Sequence, residues 1–116
     1  MSFREALKKL SDDFIVAMNS GDAAGCAAVY AEDALVYYST SAPVRGRDEI
    51  RRIYGDAIAQ GQRLKALTLI HADSDENIGY GIQSYEGTNG SGMVMFAMRK
   101  GSAGDWLITT EAFIAP

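Results

Sequence analysis

Apolar residues in the first part of the chain recur at spacings of three and four. Phe3, Leu7, Leu10, Phe14, Ala17 and Met18 form one stripe, while Arg4, Glu5, Lys8, Lys9 and Asp12 fall on the opposite side. That period predicts an amphipathic first helix. Ser2 and Glu5 have the spacing of a capping box, and Glu5 stands four residues before Lys9, a helix-pair spacing. Gly21 closes the helix and Asp22 caps a second one over Ala23 to Tyr30, whose residues are mostly small. A short strand is expected from Leu35 to Ser39, broken by Thr40-Ser41-Ala42-Pro43. A third helix follows from Asp48 to Gln60, with Ile50, Ile53, Tyr54, Ala57 and Ile58 inward and Gly61 as its stop.

Beyond Gly61 the period falls to two. Strands are predicted at Leu64 to Ala72, Ile78 to Thr88, Gly92 to Arg99 and Trp106 to Ile114. Asp73 to Asn77, Asn89-Gly90 and Gly101 to Asp105 read as turns, and connections this short favour an antiparallel meander. Helices first and strands last give an α+β class: three N-terminal helices on one face of a strongly curved, mostly antiparallel sheet. Gly79 and Gly81, inside a strand, mark a sharp bend or bulge, so that the sheet wraps into a cone. The run from Met93 to Met98 is apolar on both faces. Helices cover one face of such a sheet, so the convex face is expected to meet a second subunit in a homodimer.

Composition narrows the classes. At 116 residues, residues 1–116 are expected to form one domain. With 47% hydrophobic and 22% charged residues the chain is neither disordered nor, lacking a long apolar run, a membrane span. Its net charge of −4 disfavours nucleic acid, which needs a basic face. One cysteine, Cys26, excludes an internal disulfide, and with one histidine no zinc signature is possible. The N-terminus runs straight into the first helix, so a cytoplasmic location is expected. Asp73-Ser74-Asp75-Glu76-Asn77 begins like a calcium loop, but its sixth and twelfth positions are Ile78 and Ser84. Gly79-Tyr80-Gly81 lacks the helix of a nucleotide fingerprint. No metal or cofactor is expected.

Three segments in order resemble a known family. Ala17-Met18-Asn19-Ser20-Gly21-Asp22, Tyr30-Ala31-Glu32-Asp33-Ala34 and Pro43-Val44-Arg45-Gly46-Arg47-Asp48-Glu49-Ile50 look like the opening of the NTF2-like superfamily, nearest its SnoaL-like and DUF4440 groups. Gly104-Asp105-Trp106-Leu107-Ile108 with Phe113 is similar to the family's last strand. The resemblance implies a cystatin-like cone, usually dimeric, with a pocket between helices and sheet. Its members include ketosteroid isomerases, dehydratases, polyketide cyclases, epoxide hydrolases and non-catalytic binding or assembly domains, so fold does not settle function. The isomerases' oxyanion tyrosine corresponds here to Phe14, their base aspartate to Tyr38, and their protonated aspartate to Phe96. A phenyl ring donates no strong hydrogen bond and a phenol is a poor base at neutral pH, so ketosteroid isomerase activity is not expected.

The remaining chemistry rests on few residues. Tyr38 points inward as a ligand-orienting hydroxyl or a space-filling ring. Glu111 is an acid or base if buried among apolar groups, and otherwise a rim charge. His71 is a general base only if it faces the pocket; should Ala66, Thr68 and Ile70 face it, His71 points away. Glu86 lies near a hairpin turn, and Asp33 suits local turn hydrogen bonding. Arg45, Arg47, Arg51 and Arg52 form the one basic cluster, an anion site at the third helix or a wet face paired with Asp48, Glu49 and Asp56. Cys26, on a small-residue helix, reads as packing. The leading functional expectation is a pocket for a small apolar molecule, lined by Phe14, Met18, Tyr38, Ile53 and Phe96. A metal-free acid–base enzyme of the cyclase, isomerase or dehydratase kind, acting on a small hydrophobic carbonyl compound, is the alternative, with Tyr38, Glu111 and His71 as its candidates. An assembly domain dimerising through the sheet is the third.

Overall fold

The computed structural model describes residues 2–38 and 42–114. Helix α1 spans Phe3–Ser20, α2 Ala23–Ala27 and α3 Arg47–Ala59. The strands are β1 (Tyr30–Tyr37), β2 (Val44–Arg45), β3 (Leu64–Ser74), β4 (Ile78–Gly87), β5 (Gly90–Lys100) and β6 (Trp106–Ile114). They form one curved sheet in the order β2-β1-β6-β5-β4-β3. Every neighbouring pair is antiparallel except β1 with β6, which is parallel. The α+β class with three helices on a curved sheet is the architecture expected.

Local chemistry sets the helix ends. Ser2 Oγ accepts from the Glu5 amide at 3.1 Å, and the Glu5 carboxylate accepts from the Ser2 amide at 3.2 Å, closing the capping box. That bond holds the Glu5 carboxylate below its ordinary pKa. The predicted Glu5–Lys9 pair does not form; Lys9 reaches forward to Asp13 at 2.7 Å and Lys8 to Asp12 at 2.9 Å. Gly21 ends α1 in the left-handed region at φ 80°, where a Cβ is strained. Asn19 then ties α1 to the sheet, exchanging two 2.8 Å bonds with the Leu64 backbone.

The ends of α3, β3, β4 and β5 lie within one or two residues of the sequence reading, and the larger departures are in the second helix, the first strand and an added short strand. The second helix stops at Ala27, because Val29 and Tyr30 are drawn into pairing with Ile108 on β6. Pairing that satisfies a buried backbone outweighs helix propensity in so short a segment. The first strand therefore begins at Tyr30 rather than Leu35; its expected end at Ser39, with Thr40 and Ser41, lies outside the described residues. The short β2 went unpredicted, since two residues carry no period.

Gly79 and Gly81 are not bulges: β4 pairs with β5 without a register shift. They are points of close approach. A Cβ on Gly79 would come within 2.5 Å of the Phe3 ring, and one on Gly81 within 2.7 Å of the Phe96 ring. Register shifts fall elsewhere: in β3 between Leu64 and Ala66 and between Leu69 and His71, in β1 between Tyr30 and Leu35, and in β6 opposite the step from Ala97 to Met98. Leu7, Ile50, Val36, Met98 and Cys26 are wholly or almost wholly buried between helices and sheet. Ile50 has no exposed surface, so Ile50→Ala is expected to cost about 2–5 kcal/mol, read as a lower urea midpoint at unchanged slope.

Candidate functional site

A cavity of about 680 Å³ opens between α1, α3 and the concave face of the sheet. Leu10, Phe14 and Met18, four residues apart on α1, supply one apolar wall. Leu67, Val94, Ile108 and Phe113 supply much of the other. Phe14 meets Tyr54 edge-on, with ring centroids 5.3 Å apart, and Tyr38 stacks on Phe113 at 5.0 Å.

Set into these walls is a buried polar chain. Tyr30 donates to Glu111 Oε1 at 2.5 Å, and its oxygen lies 2.7 Å from that of Tyr54. A phenol has one proton, so when Glu111 is ionised and accepts the hydrogen bond from Tyr30, Tyr54 is the donor to Tyr30. Glu111 is 6% exposed. Burial pushes its carboxyl up to about 7, opposed by the hydrogen bond from Tyr30. Its second oxygen makes no hydrogen bond among the described residues. The phenols of Tyr30 and Tyr54 are held well above their usual range, chiefly by burial and then by neighbouring negative charge.

Tyr38 is the unpaired member. Its hydroxyl is buried without a hydrogen-bond partner among the described residues. Burial and then the Glu111 charge raise its pKa strongly, while Tyr54 approaches closely enough to offset a little of that rise. Such a group costs free energy until something bonds to it. A second polar pair, Gln83 donating to Ser11 at 2.8 Å, also lines the cavity.

Two bulges decide which candidates reach this site. On β6, Met98 faces Ile108 but Ala97 faces Thr110, so Thr109 is extra. Its hydroxyl donates to the Ala97 carbonyl at 3.2 Å. Strict alternation from Ile108 would turn Glu111 outward; the extra residue turns it in. On β3, Leu67 lines the cavity, and continued alternation would bring His71 inward. The bulge at Ile70 instead buries Ala72 and leaves His71 exposed, opposite Ile82 and 3.3 Å from the Tyr80 hydroxyl. The supposition that Ala66, Thr68 and Ile70 face inward is overturned, although His71 lies outside the cavity all the same.

Of the five expected lining residues, Phe14, Met18 and Tyr38 line the cavity; Ile53 and Phe96 do not. On α3 the lining residue is Tyr54, one position round the helix from Ile53. Phe96 is consumed in packing over Gly81. Glu86 and Asp33 are exposed. The arginine cluster is structural and wet: Arg47 grips the Tyr30 carbonyl through Nε and Nη2, Arg45 the Asp33 carbonyl, and Arg52 pairs with Glu49 and Asp56. Cys26 is buried, and burial pushes its thiol up to about 11, away from the reactive thiolate.

The comparison with protein families settles the lineage: the model of the SnoaL-like domain matches residues 12–102. The chain belongs to the SnoaL-like family. Among solved structures, this SnoaL-like domain is similar to a Mycobacterium tuberculosis protein of unknown function, Rv3472, at 20% identity and a TM-score of 0.82 over 96% of this chain and 74% of that one. It also resembles a cystatin-like domain of unknown function from Nostoc punctiforme, at 18% identity and 0.85 over 100% of this chain and 80% of that one. A ketosteroid isomerase-like protein from Erwinia carotovora matches at 17% identity and 0.76 over 97% and 96%. At such identities the likeness shows the fold alone. No curated protein matches the sequence.

Sequence reasoning missed Tyr30 as a site residue and placed Tyr54 only in the core stripe. It missed Ser11 and Gln83 altogether. Ser11 does follow Leu7 at the helical spacing of the apolar stripe, which is the one sequence signal for its burial.

Proposed function

We propose that this SnoaL-like domain binds a small, mostly apolar molecule carrying a carbonyl or hydroxyl oxygen, without metal or cofactor, as a cytoplasmic homodimer. The observation that carries the reading is the Tyr38 hydroxyl, buried and without a partner among the described residues, beside an open apolar cavity. A ligand oxygen there supplies the missing bond, while the ligand's body covers Phe14, Met18 and Leu67. The volume falls in the range of small-molecule sites. The pairing face is the outer side of the sheet. There Met93, Met95, Tyr80 and Ile114 are 37–48% exposed, and no Asp, Glu, Lys or Arg occurs in the cross-strand rows through Met93 and Met95. Such a face is apolar enough to associate with its own copy.

Native mass spectrometry of freshly purified chain, followed by melting in a panel of small ketones, phenols and alcohols, tests the reading. A retained molecule, or a ligand raising Tm, is expected, and Tyr38→Phe should weaken the best such ligand by about tenfold. An empty protein that no panel member stabilises sinks the proposal.

A second reading is favoured by Glu111. A carboxyl titrating near neutrality is suited to take and return a proton. In that reading Glu111 Oε2 removes a proton from carbon next to a bound carbonyl, Tyr38 donates a hydrogen bond to the oxygen that gains charge, and Glu111 returns the proton elsewhere on the molecule. Turnover would follow a pH profile bending near 7 and would vanish in Glu111→Gln.

A further inference from the structure

We infer that the ligand of this cavity is an organic anion, an apolar body ending in a carboxylate or similar group, held at the rim by Arg63. The inference rests on the cavity being a small-molecule site and adds the class of molecule.

Two residues of formal charge line the cavity, Glu111 deep in the wall and Arg63 near its opening. Arg63 is fixed in place from both ends. Its amide donates to Thr88 Oγ1 and its carbonyl accepts from the Thr88 amide, both at 3.0 Å, which fastens the start of β3 to the β4–β5 hairpin. Its guanidinium is oriented by Nη1, which donates to the carbonyls of Ile58 at 3.2 Å and Gln62 at 2.7 Å. Nε and Nη2 make no hydrogen bond, and the side chain makes no ion pair, among the described residues. Arg47 and Arg52 differ in using two or more donors on protein acceptors, while Arg4 and Arg45, neither of which lines the cavity, each use one.

A half-buried guanidinium with an ordered stem and unused donors is a preorganised receptor for the paired oxygens of a carboxylate, phosphate or sulfonate. The partners along the same rim are neutral: Thr88, Asn89 and Ser91 line it beside Gln62. Polarity also fixes which way the molecule lies. Glu111 at the deep end repels an anionic group when ionised, so the anion stays at the rim and the neutral oxygen reaches Tyr38. Glu111 therefore selects against molecules with a second anionic end.

Two fluorescent probes of matching skeleton test this: 1-anilinonaphthalene-8-sulfonate, which carries a sulfonate, and N-phenyl-1-naphthylamine, which does not. Both are titrated into the wild type, Arg63→Gln and Arg63→Lys, and displacement of one by the other establishes a shared site. The expected result is that Arg63→Gln weakens the sulfonate probe about tenfold and leaves the neutral probe within a factor of about two, and that Arg63→Lys, which keeps the charge but not the oriented fork of donors, recovers only part of the affinity. Unchanged binding of the neutral probe also shows that the variant is folded. Equal loss of both probes, no loss of either, or failure of the two to compete overturns the anion assignment while leaving the cavity a binding site. Failure of both probes to bind the wild type removes the cavity reading itself.

Discussion

Glu111→Gln is expected to stabilise this protein by about 3 kcal/mol near pH 8 and to change it little near pH 4. The carboxyl's ordinary value is 4.5, and burial lifts it to about 7 in the folded chain. A folded-state pKa above the unfolded one means that the unfolded chain loses its proton first. Stability therefore falls as pH rises from about 4.5 to about 7 and is level above that. Glutamine has no proton to lose, and Tyr30 can still donate to its oxygen, so the variant lacks this slope. Melting temperatures across the range should separate by on the order of 10 °C at the alkaline end and converge at the acid end. Parallel curves from pH 4 to 8 would show that Glu111 is hydrated or otherwise paired, and the acid–base reading would fall with them. The same unfavourable ionisation is what makes the group useful: a carboxylate that is costly to keep charged is a stronger base than one in water.

Most of the scaffold is written in periods that local chemistry enforces. The α1 stripe, the capping box at Ser2 and Glu5, and the polar turns between strands each point to the element that forms. The site is harder to read because it depends on parity. One extra residue, Thr109, turns Glu111 into the cavity, and another, Ile70, turns His71 out of it. A bulge is a property of two paired strands, so neither β3 nor β6 alone announces it. The parallel partnership of β1 with β6 is invisible for the same reason: nothing near Val29 or Tyr30 in the sequence indicates Ile108. Phe96 illustrates a different limit. Its inward face was legible, but whether it bordered empty space depended on Gly81, across the ladder. Arg63 carries no signal in the sequence, where it is a lone arginine after a helix stop; its meaning comes from the carbonyls of Ile58 and Gln62, which aim it.

Met95→Glu is expected to split the proposed dimer into monomers. Met95 sits at the middle of the outer face, opposite Ile82 on one side and Ala112 on the other, and 45% of its surface is exposed in the single chain. In a two-fold pairing each change occurs twice, so two carboxylates would be buried without partners near the centre of the interface. Each costs several kcal/mol, enough to weaken association by at least about 100-fold. Sedimentation at micromolar concentration should give twice the chain mass for the wild type and for Met95→Leu, and the single mass for Met95→Glu. A wild type that sediments as a monomer would remove the dimer from the proposal, and a glutamate variant that pairs as tightly as methionine would locate the contact elsewhere. The experiment also separates the two faces of the sheet. Val94 and Phe96 flank Met95 in sequence and point inward, Val94 onto the cavity. Probe binding in the monomeric variant therefore reports whether the cavity is complete within one chain or whether the outer face, through pairing, sustains the curvature that holds it open.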